Sequence, residues 1–317
     1  GACLNEDLFI RTLLSHVPHA KTPEGPGDDA AVLSKQARVL SADALIENVH
    51  FVRSHPPEWL GWKALAVNLS DVNAMGAKPE GFAFTAALPP DISESWWTRF
   101  AMGMGEYAGL TQTTLVGGDI VRSPGPICLS ITAWGEPVSD VLLRRDQLQA
   151  DDRLMVVGTV GASGCGLKTW LAMEHGTFWE KPLPTVSDEV LAHLRPNPPL
   201  WAGAKAAELG ARCGIDLSDG LAKDLNRLAQ ASGLTLVIDV DSIPVARTSG
   251  TLTVDQVLSF GEDYNLLIGV TPKLTQEFEA LGFVDIGQAI TGDAIVRFER
   301  GQHPLELQTR PFEHFED

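Results

Sequence analysis

EWLGWKALAVNLSDVNAMGAKP, residues 58–79, is the stretch whose reading decides the fold. Trp62, Leu65, Leu69 and Val72 recur at three- and four-residue spacing and lay one apolar stripe along a helix. Asp71 falls on the opposite face, and Gly76 and Pro79 end the helix. RVLSADALI (38–46), before it, reads as a strand meeting a polar patch at Ser41 and Asp43, and GFAFTAAL (81–88), after it, reads as another strand. A strand–helix–strand unit carrying carboxylates is therefore the seed of the molecule.

Working outward, SESWWTRFAMGMGEYAGL (93–110) is a second helix, opened by a serine and closed by a glycine. TTLVGGDIV (113–121) reads as a short strand running into a double-glycine turn that carries Asp119, and ICLSITAWGEP (127–137) alternates like a half-buried strand. A polar connection, LLRRDQLQADDRLMVVG (142–158), then leads into a new apolar strand. We expect a domain boundary there, giving domains 1–143 and 144–317. In the second half, Leu221, Leu225 and Leu228 stripe a helix that Gly233 stops, and LTLVIDV, YNLLIGV and VDIGQAI read as strands. Alternating strands and helices in both halves imply two α/β (α+β) domains.

Of the 317 residues, 44% are hydrophobic and 21% charged, so each half can bury an ordinary core. The net charge of −17 argues against nucleic acid or an anionic membrane as partner. Cys3, Cys128, Cys165 and Cys213 are widely spaced, which suggests free thiols in a reducing compartment. With acidic residues near the start and no apolar run of membrane-spanning length, we expect a cytoplasmic protein.

The aspartates gather at turns. Asp28 and Asp29 follow a glycine, Asp43 ends a strand, Asp119 sits in GGD, Asp216 and Asp219 in DLSDG, and Asp263 in GED. Aspartate at a turn or helix start often serves only local hydrogen bonding. As a set, however, these carboxylates offer hard oxygen ligands of the kind Mg²⁺ takes when it bridges phosphates. Such a set suits phosphoryl transfer without a Walker lysine. GASGCGLKT (161–169) lies where a phosphate-binding loop would, between a strand and a helix, but Leu167 separates Gly166 from Lys168. That extra residue turns Lys168 by ~100° about the helix. Close packing of the helix start is the expected role of these glycines. His50 at a strand end and Arg144 and Arg145 at the domain junction are the remaining candidates, each with a bland structural alternative.

Taken in order, GPGDDAAVL, LSADALIENVHF, WKALAVNLSDVNAMGAKP, LVGGDIVR, GIDLSDGLAKDL and SFGEDYNLLI resemble the thiamine-monophosphate kinases. These belong to the superfamily of aminoimidazole ribonucleotide synthetase and selenophosphate synthetase. The resemblance runs from about residue 6 to PFEHF at 311–315. It implies a two-domain aminoimidazole ribonucleotide synthetase-like fold whose N-terminal sheets pair across a homodimer. It also implies ATP-dependent conversion of thiamine monophosphate to thiamine diphosphate with several Mg²⁺ ions. By resemblance, Asp29, Ser41, Ala42, Asp43, Asp71, Asp119, Asp216 and Asp219 hold the metals. Gly118, Asp119, Arg145 and Ser218 contact the nucleotide, and His50, Glu262 and Phe312 contact the thiamine substrate.

The chain departs from the family pattern in three places. Ala42 stands where a threonine is usual, leaving only a backbone carbonyl as ligand; Phe312 lacks the polar group of the usual Tyr or Trp; and GASGCGL replaces a more alanine-rich loop. Two competing readings are a different enzyme of the superfamily and a non-enzymatic acidic metal- or nucleotide-sensing module. Selenophosphate synthetases place a reactive cysteine in the N-terminal glycine-rich segment, whereas Cys3 lies far upstream of GDD. Turnover of ATP with thiamine monophosphate separates these readings.

Overall fold

The computed structural model describes residues 31–33, 38–173 and 182–305. Among them the first half forms a five-stranded sheet in the order β1-β2-β5-β3-β4. Its strands are β1 (Ala31–Leu33), β2 (Arg38–Ile46), β3 (Ala77–Leu88), β4 (Thr114–Arg122) and β5 (Cys128–Pro137). β5 pairs antiparallel with both β2 and β3, and β4 adds to β3 in parallel at the edge. Helices α1 (Pro57–Ala74) and α2 (Glu94–Thr111) cover one face. The helices cross closely because Gly61 and Gly103 carry no Cβ; one at either position would collide with backbone of the other helix.

The second half forms a seven-stranded sheet in the order β12-β11-β8-β10-β6-β9-β7. These strands are β6 (Arg153–Val157), β7 (Cys213–Asp216), β8 (Thr235–Asp239), β9 (Leu266–Val270), β10 (Phe283–Ile290), β11 (Val296–Arg300) and β12 (His303–Pro304). Its helices are α3 (Ala162–Ala172), α4 (Asp188–Leu194), α5 (Leu200–Leu209), α6 (Leu221–Ser232), α7 (Val254–Ser259) and α8 (Thr275–Ala280). β6, β8, β9 and β10 are antiparallel to their neighbours here, with only β8–β11 parallel, so the half is α+β rather than doubly wound.

Three local expectations change. Helix α1 has no solvent face: of its residues only Glu58 and Asp71 escape full burial. It lies between its own sheet and elements of the second half, including β7 and α5, so its polar residues face protein rather than water. GGD is not a turn. β4 runs straight through Gly117, Gly118 and Asp119, with a bulge at Val116 opposite Phe82 and Ala83. Helix α2 does open at Ser93, whose side chain accepts from the Trp96 amide at 3.1 Å. It ends past the glycine, at Gln112, whose left-handed conformation (φ 56°) makes the cap.

Candidate active site

The NLSD sequence of α1 faces both halves of the molecule. Asn68 anchors its amide on the Ala64 carbonyl at 2.9 Å and accepts the Asp43 backbone N–H on Oδ1 at 3.1 Å. One turn on, Asp71 accepts the Ser41 hydroxyl at 2.6 Å. Residues 68 and 71 share the face toward β2, as i and i+3 must. Ser70 points elsewhere and donates to Asp216 Oδ2 at the end of β7, at 2.7 Å. Asn73 accepts the Gly203 amide at the start of α5, at 2.8 Å. The same helix therefore brings Ser41, Asp43 and Asp71 of one half beside Asp216 of the other.

Under these carboxylates lies Tyr264. Burial pushes its phenol well above the ordinary value, and the negative charges of Glu262, Asp43, Asp216 and Asp71 push it further. Tyr264 belongs to a loop in which three successive side chains reach three different places. Glu262 and Tyr264 both have positive φ, 62° and 52°. Glu262 approaches Lys63 Nζ of α1 at 3.1 Å and His193 of α4 at 3.2 Å. Asp263 accepts the Gly161 and Ser163 amides at the start of α3, at 2.7 and 3.1 Å. That contact accounts for GASGCGL: its open N–H groups bind a carboxylate of the chain itself, in the way such helix starts bind anions. Burial raises Asp263 to about 6 despite those amides. The loop backbone is pinned to the DLSDG turn, Glu262 N to Ser218 O at 2.7 Å and Tyr264 N to Leu217 O at 2.9 Å.

A second charged group flanks that turn. Asp219 faces Arg227 at 2.6 Å and Lys223 at 3.2 Å. Burial would raise its carboxyl, but these two cations hold it below the ordinary value. Asp224, buried in α6, accepts the Asp219 amide at 3.1 Å. Burial and the Asp219 charge raise it to about 7, against the pull of Arg227 and Arg145. Arg145, in the short 3₁₀ turn Arg145–Gln147 at the domain junction, is thereby placed near the DLSDG helix start. Ser218 and Asp219 are half-buried beside it.

The other expected residues are spread around this centre. Ala42 and Asp43 are exposed on β2. The cross-strand row from Asp43 runs through Ile131 and Phe84 to Gly118, and Asp119 lies one residue beyond on exposed β4. His50 accepts the Ile46 amide on Nδ1 at 2.9 Å, closing the turn after β2. Asp28, Asp29 and Phe312 lie outside the described residues. Among the described residues no three carboxylate, His or Cys groups stand close enough to enclose one metal ion. Residue reading missed Lys63, Asn68, Ser70, His193 and Tyr264. The signal for the first three was the presence of isolated polar residues within an otherwise apolar helix.

Family models describe the two halves as the N-terminal domain (residues 27–136) and the C-terminal domain (residues 149–294) of AIR synthase related proteins. The thiamine-monophosphate kinase of Synechococcus elongatus is 34% identical over 307 residues, covering 92% of each chain. That of Aquifex aeolicus is 32% identical over 318 residues, covering 98% of this chain and 96% of its own. The solved structure of AaThiL complexed with AMPPCP and TMP superposes with TM-score 0.79 at 30% identity, over 95% of this chain and 96% of that one. The HypE-HypF complex structure, at 16% identity and TM-score 0.77 over 98% of this chain, shares the fold.

Proposed function

The chain belongs to the thiamine-monophosphate kinase family of AIR synthase-related proteins, and from that premise we propose that it transfers the γ-phosphoryl group of ATP to thiamine monophosphate, giving thiamine diphosphate. The observation that carries this reading is that one helix ties Asp43 and Asp71 of the first domain and Asp216 of the second to adjacent turns of itself, through Asn68, Ser41 and Ser70. AaThiL, complexed with AMPPCP and TMP, is consistent with a nucleotide and an acceptor meeting in this fold. We divide the domains at 143/144, in keeping with a first sheet that ends at Pro137 and a second that begins at Arg153.

Mg²⁺ fits the donor set. The carboxylates are hard oxygen ligands, and their combined charge is felt at one buried phenol. Ser41, the Ala42 carbonyl, Asp43, Asp71 and Asp216 are the proposed ligands here, with Asp29, Asp119 and Asp219 completing the set. When bound, Mg²⁺ supplies the positive charge that lets two polyanions meet in an acidic cleft. Arg145, Gly118, Asp119 and Ser218 are proposed for the nucleotide, and His50, Glu262 and Phe312 for the thiamine moiety.

The acceptor is a phosphate monoester, already largely anionic at neutral pH with a second pKa of ~6. It needs no general base, only alignment with the γ-phosphorus and screening of its charge. Transfer is therefore direct and in line, without a phosphorylated enzyme. A homodimer completes the reading. Edge strand β4 exposes Leu115 (53%), Val116 (63%), Ile120 (51%) and Val121 (46%), the kind of apolar edge that a second sheet covers. Among the described residues no helix is long and apolar enough to cross a membrane. The acidic charge and scattered cysteines favour the cytoplasm. The experiment is to supply ATP-Mg²⁺ with thiamine monophosphate or thiamine and measure product. We expect turnover of the monophosphate only; comparable rates with thiamine, or a phospho-protein on the pathway, would overturn the mechanism.

A further inference from the structure

The Lys63 side chain is fully buried in the middle of α1, a place where an apolar residue would fold more easily. Its ammonium meets Glu262 Oε1 at 3.1 Å across the domain boundary, yet makes no geometrically sound hydrogen bond among the described residues. A buried ion pair of this kind is costly, and replacing both partners together by apolar side chains is often neutral or stabilising, whereas removing one alone leaves the other charge unpaired. Stability alone therefore gives no reason for this lysine.

Its surroundings give another. Two imidazoles, His55 and His193, lie close by. Burial, then the Lys63 charge, holds both well below the ordinary value, so both imidazoles are uncharged at neutral pH. His193 contacts Glu262 through Nδ1 at 3.2 Å and Ser163 Oγ at 3.0 Å. The two oxygens of Glu262 thus have separate partners, Oε1 on Lys63 and Oε2 on His193. Glu262 itself is only a quarter exposed and sits in a left-handed conformation that a glutamate rarely takes. Its amide is bonded to Ser218 of the turn that carries Asp219. Main chain and side chain together leave Glu262 little freedom.

We propose that Lys63 is a positioning residue for the acceptor: from the N-terminal domain it holds Glu262 of the C-terminal domain where that carboxylate meets the cationic thiazolium part of thiamine monophosphate. The inference rests on the kinase reading above and adds to it a residue that touches no substrate. Lys63 also links the helix carrying Ser70 and Asp71 to the loop carrying Tyr264, so one ion pair ties the acceptor side of the site to its carboxylates. Glu262 stands in for an interaction equally strong in ground and transition states. Its loss is then read in KM rather than kcat.

The test uses the full chain as wild type, Lys63→Met, Lys63→Gln, Glu262→Gln and the double variant Lys63→Met/Glu262→Gln, with KM measured separately for thiamine monophosphate and ATP. We expect Lys63→Met and Glu262→Gln each to raise KM for thiamine monophosphate about tenfold or more, with KM for ATP within about twofold. The double variant should be no worse than the more severe single, because both remove one interaction. A merely structural lysine would lower the melting temperature and the active fraction without splitting the two KM values. Should neither Lys63 variant fold, Glu262→Gln decides: an unchanged KM for thiamine monophosphate overturns the inference. Additive effects in the double variant overturn it too. If wild type does not turn over thiamine monophosphate, the kinase reading falls and this one with it; if it does, only the Lys63 inference is at stake.

Discussion

The hydroxyl of Ser70, on the helix of the N-terminal sheet, donates to Oδ2 of Asp216, at the end of a C-terminal strand, over 2.7 Å. Both side chains are buried, so the bond joins the domains at the point where the carboxylates converge. Ser70→Ala leaves a buried carboxylate oxygen short of a donor, which costs on the order of 1–3 kcal/mol. We expect a lower melting temperature and reduced turnover. A variant indistinguishable from wild type in both would show that the contact holds nothing in place.

Asp71→Asn and Asp119→Asn keep shape and remove charge. If both carboxylates serve phosphate-bridging cations, each variant should lose activity by orders of magnitude while its circular dichroism spectrum is kept. Glu299→Gln, on β11 and outside every motif, serves as the silent control. Near wild-type rates in both aspartate variants would reduce those residues to structural parts.

Removing divalent cations with a chelator should abolish turnover and lower the melting temperature. Asp43, Asp71 and Asp216 then lose the cations that screen their mutual repulsion near Tyr264. Readdition of Mg²⁺ should restore both. Full activity in excess chelator contradicts the metal requirement.

Asp263 makes stability depend on pH in a stated direction. Its carboxyl moves from 3.8 to about 6 on folding, chiefly through burial. Between those values the folded chain binds more protons than the unfolded one, so this group's contribution falls as pH rises from about 4 to about 6 and is level above. Melting curves of wild type and Asp263→Asn across that range should show their difference shrinking with pH. A difference that grows with pH reverses the assignment.

The exposed edge strand can be probed apart from the chemistry. Ile120→Glu places a charge on β4, whose side chains are open to solvent in one chain. Equilibrium sedimentation should show a dimer in wild type and a monomer in the variant. Gly118→Ala acts differently: its Cβ would land on the Phe84 carbonyl oxygen, so β4 should separate from β3 and the fold itself should weaken. A monomeric wild type rejects the homodimer.

Most elements were legible because local rules are enough for them. The strand RVLSADALI was expected and found at 38–46, and α6 begins at Leu221 and stops at Gly233, whose φ of 68° only glycine takes freely. Motif order also pointed to the family. Periodicity was incomplete on α1, where the stripe said nothing of the face that carries Asp71. Helical spacing cannot say what covers the other side, and here it is the second domain.

By itself, then, the sequence determined most of the strands and helices, where the carboxylates lie along the chain, and which family they resemble. These follow from spacing, turn chemistry and charge, all of which act within a few residues. Only the tertiary structure decided that Ser70 faces Asp216, that Asp263 fills the helix start that looked like a phosphate loop, and that Lys63 is buried against Glu262. Those pairs are separated by about a hundred residues or more. Their meeting depends on how two sheets pack against one helix, and burial then turns ordinary polar residues into a site by removing the water that would screen them.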